Sequence, residues 1–522
     1  MKVGEKAGCL LVVGLALAGV GLPVSSSFAQ KRVMAGKPSA PKATTPTTGD
    51  WHPKSTAYIK ASNTNKDDQF GSAIALSGDG NTLAVSATSE DSAAKGVNAL
   101  PKGSELNSGA VYVYTRTAAG WKQQAYVKAS NTAEGAQFGN ALALSNDGNL
   151  LVVASTGEAS SAKGINGDQE DRSMEAAGAV YVFARNGAAW TQQAYVKASN
   201  TGGPDVGYQF GYSVALSSDG TTLAVGSTSE PSAATGIDGT QSDTSAPEAG
   251  AVYVYTHQGA NWAQQAYVKP WSTTTRGVLF GYSLGLSADG NTLAVGTYDE
   301  EGGKGAVYAF TRNGGKWSQQ ARLQASNAER GDSLGCSIAI SDDGDTIVAG
   351  AFDEDALLAG IQPPDAGAHD EADDISTGAA YVFVRSAGKW SQQAYMKAFN
   401  TRPNDQFGWA LAMSRDGNTV AVGGHLEDGG SKGINGDQSD ASAEDSGAVY
   451  VYTRSGSTWH PAAYVKASNP KPAAEFGISV ALDADGKVLA VGATRENSSA
   501  KGVNGNQIDK AAPNSGAAYV YY

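Results

Sequence analysis

Cysteine is almost absent from this 522-residue chain: Cys9 and Cys336 are the only two. Cys9 lies in a removable N-terminal segment, so the mature chain keeps Cys336 alone and has no intramolecular disulfide even in an oxidising compartment. Histidine is equally scarce. His52, His257, His369, His425 and His460 fall at no spacing suited to a zinc site or a nucleophile–base pair. Charged residues make up 17% of the chain, with a formal net charge of -13, which argues against nucleic acid and anionic membrane as partners. No segment reads as a helix of useful length, and no Gly-rich phosphate loop leads into one.

Glycine, by contrast, is abundant at 66 residues, and its positions are periodic. A Phe-Gly pair recurs at Phe70-Gly71, Phe138-Gly139, Phe210-Gly211, Phe280-Gly281, Phe407-Gly408 and Phe476-Gly477, with Leu334-Gly335 in the fifth place. After each comes an apolar run, a turn containing Asp-Gly (Asp79-Gly80 in the first copy), a second apolar run and a polar loop. A third run then opens at Gly109, Gly178, Gly250, Gly305, Gly378, Gly447 or Gly516, and a Trp introduces the fourth. Short segments rich in Val, Tyr, Leu and Ile between Gly, Asn and Asp are strands, and Asp-Gly supplies the positive φ of a tight hairpin. Four strands per copy is the content of a propeller blade.

Only six Trp follow a third strand, namely Trp121, Trp190, Trp262, Trp317, Trp390 and Trp459. The chain stops at Tyr519-Val520-Tyr521-Tyr522, the end of a third strand, while Trp51 with Tyr58-Ile59-Lys60-Ala61 stands as an orphan fourth strand at the other end. The ends complement each other. The expectation is all-β: one seven-bladed β-propeller of four-stranded blades, residues 51–522, closed by the N-terminal strand completing the last blade and removing an exposed edge.

Residues 1–29 carry Lys2 and Lys6, an apolar stretch from Cys9 to Val24 and the small-x-small sequence Ser27-Phe28-Ala29, and read as a signal peptide. Residues 30–50, with their Lys, Pro and Thr, read as a flexible linker. The expected location is therefore secreted or periplasmic, with possible attachment to the cell surface, and the expected state is a monomer not inserted in the membrane after cleavage.

Six Phe-Gly pairs and one Leu-Gly, in register with the Val491-Gly492-Ala493 and Gly516-Ala517-Ala518-Tyr519 type runs, resemble the FG-GAP repeat of the integrin α-chain propeller and its bacterial relatives. The resemblance covers Trp51 to Tyr522. It implies a seven-bladed, secreted or surface-exposed, ligand-binding module, and names no particular ligand. Integrin-type calcium hairpins carry several Asp residues spaced Asp-x-Asp-x-Asp-Gly, whereas most hairpins here hold one Asp, which reads as a turn residue.

Propeller topology puts the loops from strand two to strand three, and from strand four to the next blade, on one face. Six of the former are long (95–108, 163–177, 235–249, 358–377, 432–446 and 501–515), and the fourth blade has only Glu301-Gly302-Gly303-Lys304. Three groups of candidate residues belong to this face. Glu90, Glu158, Glu230, Glu300, Glu354, Glu427 and Glu496 recur after strand two, and Lys60, Lys128, Lys197, Lys269, Lys397 and Lys466 end strand four; they are expected to form exposed pairs at about 0–1 kcal/mol each. Calcium is the cofactor that the second group would take: Asn166, Asp168 and Asp171, with Asp238 and Asp243, and Asn435, Asp437 and Asp440, place oxygens around Gly turns, although Asn and Asp beside Gly are also ordinary turn formers. The third group breaks the repeat. Tyr212, Tyr282 and Trp409 follow Phe-Gly where other blades have Ser72, Asn140, Cys336 or Ile478; Trp271, His425 and the acidic run His369 to Asp374 share their face. These aromatics read either as a recognition platform or as packing between blades.

The functional expectation is an exported, non-enzymatic binding or adhesion module that engages an extracellular protein or glycan through the long-loop face. Its alternatives are a propeller hydrolase or lyase acting on a polysaccharide with loop carboxylates, and a structural scaffold of the cell envelope.

Overall fold

The computed structural model describes residues 51–522 except 203–206, 260, 273–276, 365 and 367–374. The signal and linker readings, and the acidic run His369 to Asp374, thus lie outside the described residues.

Seven antiparallel sheets form a ring. From channel to rim the first blade runs Phe70–Leu76, Thr82–Ala87, Ala110–Thr117 and Gly120–Val127, and the next five repeat that order, ending at Ala189–Val196, Asn261–Val268, Lys316–Leu323, Lys389–Met396 and Thr458–Val465. In the seventh, Val480–Leu482, Leu489–Ala493 and Ala517–Tyr521 are completed by Thr56–Lys60 from the other end of the chain. Tyr58 faces Tyr519 and Thr56 faces Tyr521 in that antiparallel register. Trp51 donates its indole N–H to Gly486 O at 2.8 Å, so the closing segment also reaches across the blade.

The repeat's residues each have a mechanical reason. In the first hairpin, Asp79 Oδ1 accepts from Ser77 Oγ at 2.5 Å and from Asn81 N at 2.9 Å, and Ser77 Oγ accepts from Thr82 N at 2.9 Å. Asp147, Asp219, Asp289, Asp343 and Asp416 do the same in their blades, so this lone Asp is a turn former. The two recurrent glycines meet at blade junctions. A Cβ on Gly109 would lie 2.3 Å from Phe138 O, and one on Gly71, at φ +99°, would lie 2.6 Å from Ala517 O. Phe-Gly of one blade therefore seats its backbone against the Gly that opens the third strand of the blade before it.

Seven apolar clusters fill the ring, each shared between adjacent blades. Phe70, fully buried, stands edge-on to Tyr112 and Tyr114 with centroids 5.4 and 6.3 Å away. Burying such a side chain is worth about 1.5–3 kcal/mol; both tyrosines belong to its own blade, and Ile59, Ala490, Ala518 and Val520 of the seventh blade complete the cluster, so no blade holds this core alone.

Candidate functional site

An eighth apolar cluster belongs to none of the blade junctions. It comprises Tyr282, Cys336 and Phe352, with Tyr212, Leu279, Tyr298 and Trp409 packed against them. Two positions per blade build it: the residue after Phe-Gly (Leu-Gly in the fifth blade) on the inner strand, and the residue that follows strand two. In blades three to six these are Tyr212, then Tyr282 with Tyr298, then Cys336 with Phe352, then Trp409 with His425. The rings form two chains of contacts: Tyr212 to Tyr282 at 4.9 Å and on to Tyr298 at 4.5 Å, and Phe352 to Trp409 at 5.3 Å and on to His425 at 4.2 Å. Tyr212, Tyr298 and Trp409 are half-buried, and Tyr282, Phe352 and His425 are buried.

The other side of the mouth carries no aromatic ring at these positions: Ser72, Asn140 and Ile478 follow Phe-Gly, and Thr88, Thr156 and Thr494 follow strand two. Ser72 Oγ lies 3.1 Å from Thr88 Oγ1 in the first blade. Asn140 Nδ2 donates to Gly211 O at 3.0 Å while its Oδ1 accepts from Thr156 N, and Thr494 Oγ1 donates to Glu475. The aromatics are thus an arc confined to four blades, and they pack on one another in preference to the interblade cores.

His425 ends the arc. It is 5% exposed, and its Nδ1 has no hydrogen-bond partner among the described residues. Burial pushes its imidazole down to about 3, with Arg495 adding to the effect, so the ring is neutral against Trp409. Trp271 is not brought into the arc. It stands 61% exposed at the outer rim, where its backbone N–H donates to Gln319 Oε1 of the fourth blade's outer strand.

The recurrent Glu–Lys pairs correct the expectation of an exposed ring. Lys128 meets Glu90 at 2.8 Å, Lys197 meets Glu158 at 2.7 Å, Lys466 meets Glu427 at 2.6 Å, Lys60 meets Glu496 at 3.0 Å and Lys269 meets Glu230 at 3.1 Å, all with side chains at most 3% exposed. Lys397 and Glu354 form the sixth pair. Burial pushes each of these ammonium groups below the usual lysine range, with the facing carboxylate pulling the other way. Each Glu also anchors a neighbour. Glu90 accepts from Tyr126 OH and from Asn63 Nδ2 of the incoming loop, and Asn63 Oδ1 in turn accepts from Tyr112 OH. Sequence position could not reveal this burial, because it is the folding of the long loop over the strand end that removes the pair from water.

The fourth blade lacks both that loop and that pair. Arg322 and Gln324 stand where each of the other six blades has Tyr and Lys, and Glu300 binds Arg322 Nε at 3.0 Å with both side chains partly exposed.

The candidate calcium ligands are spent on backbone. Asn166 Oδ1 accepts from Tyr195 N, Asp238 Oδ1 from Tyr267 N and Asn435 Oδ1 from Tyr464 N, each at 2.9 Å. These side chains extend the outer edge of their blade's fourth strand. Asp171 accepts from Ser161 and Ser173, Asp243 from Ala233 N and Ser245 N, Asp440 from Ser442 N, Asp437 from Ser439 and Asp168 from Glu170 N. Among the described residues no three His, Cys, Asp or Glu gather as a metal site.

A closed ring of seven four-stranded blades, with one asymmetric mouth, defines a seven-bladed β-propeller. The chain is more particularly an FG-GAP-repeat propeller: the FG-GAP repeat family matches residues 54–114, 121–183, 317–383 and 390–452. Comparison with curated proteins finds no match. The matched stretches start on an outer strand and end on the next blade's third strand, and the same Phe-Gly pair heads the inner run of the third, fourth and seventh blades outside them.

Proposed function

We propose that this protein is an exported, non-catalytic binding module that takes a protein or glycan ligand on its long-loop face, with the aromatic arc as its contact surface. The observation that carries the reading is the asymmetry of the channel mouth. Blade packing requires the same residues in every junction, whereas Tyr212, Tyr298 and Trp409 occupy positions that the first, second and seventh blades fill with Ser, Asn, Ile or Thr. Half-buried aromatic rings on a rigid scaffold suit apolar sugar faces and protein side chains alike. The binding reading gains over hydrolysis because six of the seven recurrent carboxylates on this face are matched by a buried lysine.

The test is a glycan and protein array probed with the mature chain and with Trp409→Ser. The serine already serves at this position in the first blade. The variant should lose the array signal while its stability falls by about 1–2 kcal/mol, below the ~3–5 kcal/mol of a fully buried aromatic. A variant that binds normally would sink the platform. Export is tested separately by N-terminal sequencing of the mature protein, which should begin at Gln30.

A further inference from the structure

Six blades cover the top of their outer strand with a segment of their own long loop, and the fourth does not. The cover has one form. Val97 pairs with Val127, Ile165 with Val196, Ile237 with Val268, Ile361 with Met396, Ile434 with Val465 and Val503 with Ile59. In the second blade Lys197 N donates to Gly164 O at 2.8 Å, Gly164 N to Ala198 O at 3.3 Å and Asn166 N to Tyr195 O at 2.7 Å, while Tyr195 N donates to Asn166 Oδ1. A glycine, a β-branched residue and, in five of the six, an Asn or Asp with positive φ thus act as a short added strand, and the β-branched side chain rests on the apolar cluster below.

The fourth blade's turn Glu300–Gly303 is too short to reach this edge. Among the described residues nothing pairs with the outward N–H and C=O of Arg322 or with Gln324 N, the counterparts of the Tyr195 and Lys197 groups. The gap shows in the packing. Leu323 is 6% exposed, whereas Val127, Val196, Val268, Met396, Val465 and Ile59 are all at 0%. Trp271 flanks the same gap. Its counterparts Ser199 and Ser468 bond Gln241 and Gln507 of the next blade's loop, and with no such loop ahead of it the indole stands open.

We propose that this edge is a β-augmentation site for an extended segment of a partner protein, carrying Gly, then Ile or Val, then Asn or Asp, whose aliphatic residue pairs with Leu323. The six internal covers define the chemistry of the occupant: main-chain bonds to Arg322 and Gln324 hold it, the aliphatic side chain fills the notch, and Trp271 closes over it. The site lies at the outer rim, apart from the aromatic arc, and does not depend on what the arc binds.

The probe is a synthetic peptide with the sequence of residues 162–171, titrated into the mature chain while the fluorescence of a label on the peptide is followed. Saturable binding is expected, weakened at least tenfold by replacing the isoleucine with aspartate or by N-methylating the asparagine amide that donates to Arg322 O, and unchanged in Trp409→Ser. Replacing residues 301–304 by residues 159–177 should remove it. Absence of saturable binding, or equal binding of the N-methylated peptide, would overturn the proposal. So would self-association that the loop exchange abolishes, which would make a second copy the occupant, or a saccharide that competes at Trp271.

Discussion

The fourth blade and its six neighbours reach the same ladder by different means. In the six, a carboxylate and an ammonium are buried together beneath a long loop, with hydroxyl and amide groups taking up the remaining oxygens. In the fourth the loop, the lysine and the tyrosine are replaced as a set, and the positive charge sits two residues earlier, on Arg322, in a partly exposed pair. The difference teaches that the loop is the roof of the pair. A buried ammonium is tolerable only where its charge and its hydrogen bonds are met at once, so removing the roof and removing the lysine go together.

Deleting residues 51–61 tests that contrast most severely, because the seventh blade borrows both its outer strand and its ammonium, Lys60, from this segment. Thermal unfolding should show the loss of a single cooperative transition; an unchanged melting temperature would refute closure by strand exchange. Next in size, Glu427→Gln leaves Lys466 buried without its counter-charge and should cost about 3–5 kcal/mol in chemical denaturation. Glu300→Gln in the fourth blade should cost no more than about 1 kcal/mol. Equal costs would break the comparison.

A smaller effect concerns pH. Asp332, at the entry to the fifth blade, is buried, and burial pushes its carboxyl up to about 8; Asp68 at the first blade is pushed up to about 7. An unfolded Asp titrates near ~3.9, so between about pH 4 and 8 the folded chain holds a proton that the unfolded chain has released. Stability contributed by that proton is full below pH 4 and is lost as pH rises through 8. Asp332→Asn should flatten this decline in a series of denaturation curves, and an unaltered slope would show that the group titrates normally. Smallest of all is the response to chelator. With Asn166, Asp238 and Asn435 used as strand extensions, chelator should leave the melting temperature unmoved, and Asp168→Ala with Asp437→Ala should stay within about 0.5 kcal/mol. A shift of many degrees would mark a calcium site.

The ring was legible because each blade repeats its turn chemistry: Asp-Gly at the hairpin, Gly at the junction, and Trp at the head of the fourth strand are local signals with local causes. The arc was legible only in part. Tyr212, Tyr282, Trp409 and His425 stand out from their repeats, but Tyr298 and Phe352 went unnoticed, although the same comparison exposes them: that position is Thr in blades one, two, three and seven. Trp271 was grouped with the arc because both lie on one face, and distance from the channel is not written in the sequence. The role of Asn166 escaped for another reason. A side-chain oxygen that takes the place of a backbone carbonyl looks, in a string of residues, like any other turn former.

The N–H of Tyr522 donates to Ser55 O, and Tyr522 O accepts from Lys54 and Ser55 N–H groups at 2.9 and 2.8 Å, so Tyr522 is fastened to the residues that lead into the closing strand Thr56–Lys60. A polypeptide is made from its N-terminus, and here the opening strand must wait, unmatched, until the final residues are available. Closure is then a late, long-range event whose entropic cost grows only slowly with the length enclosed, while its rate suffers from the separation of the partners.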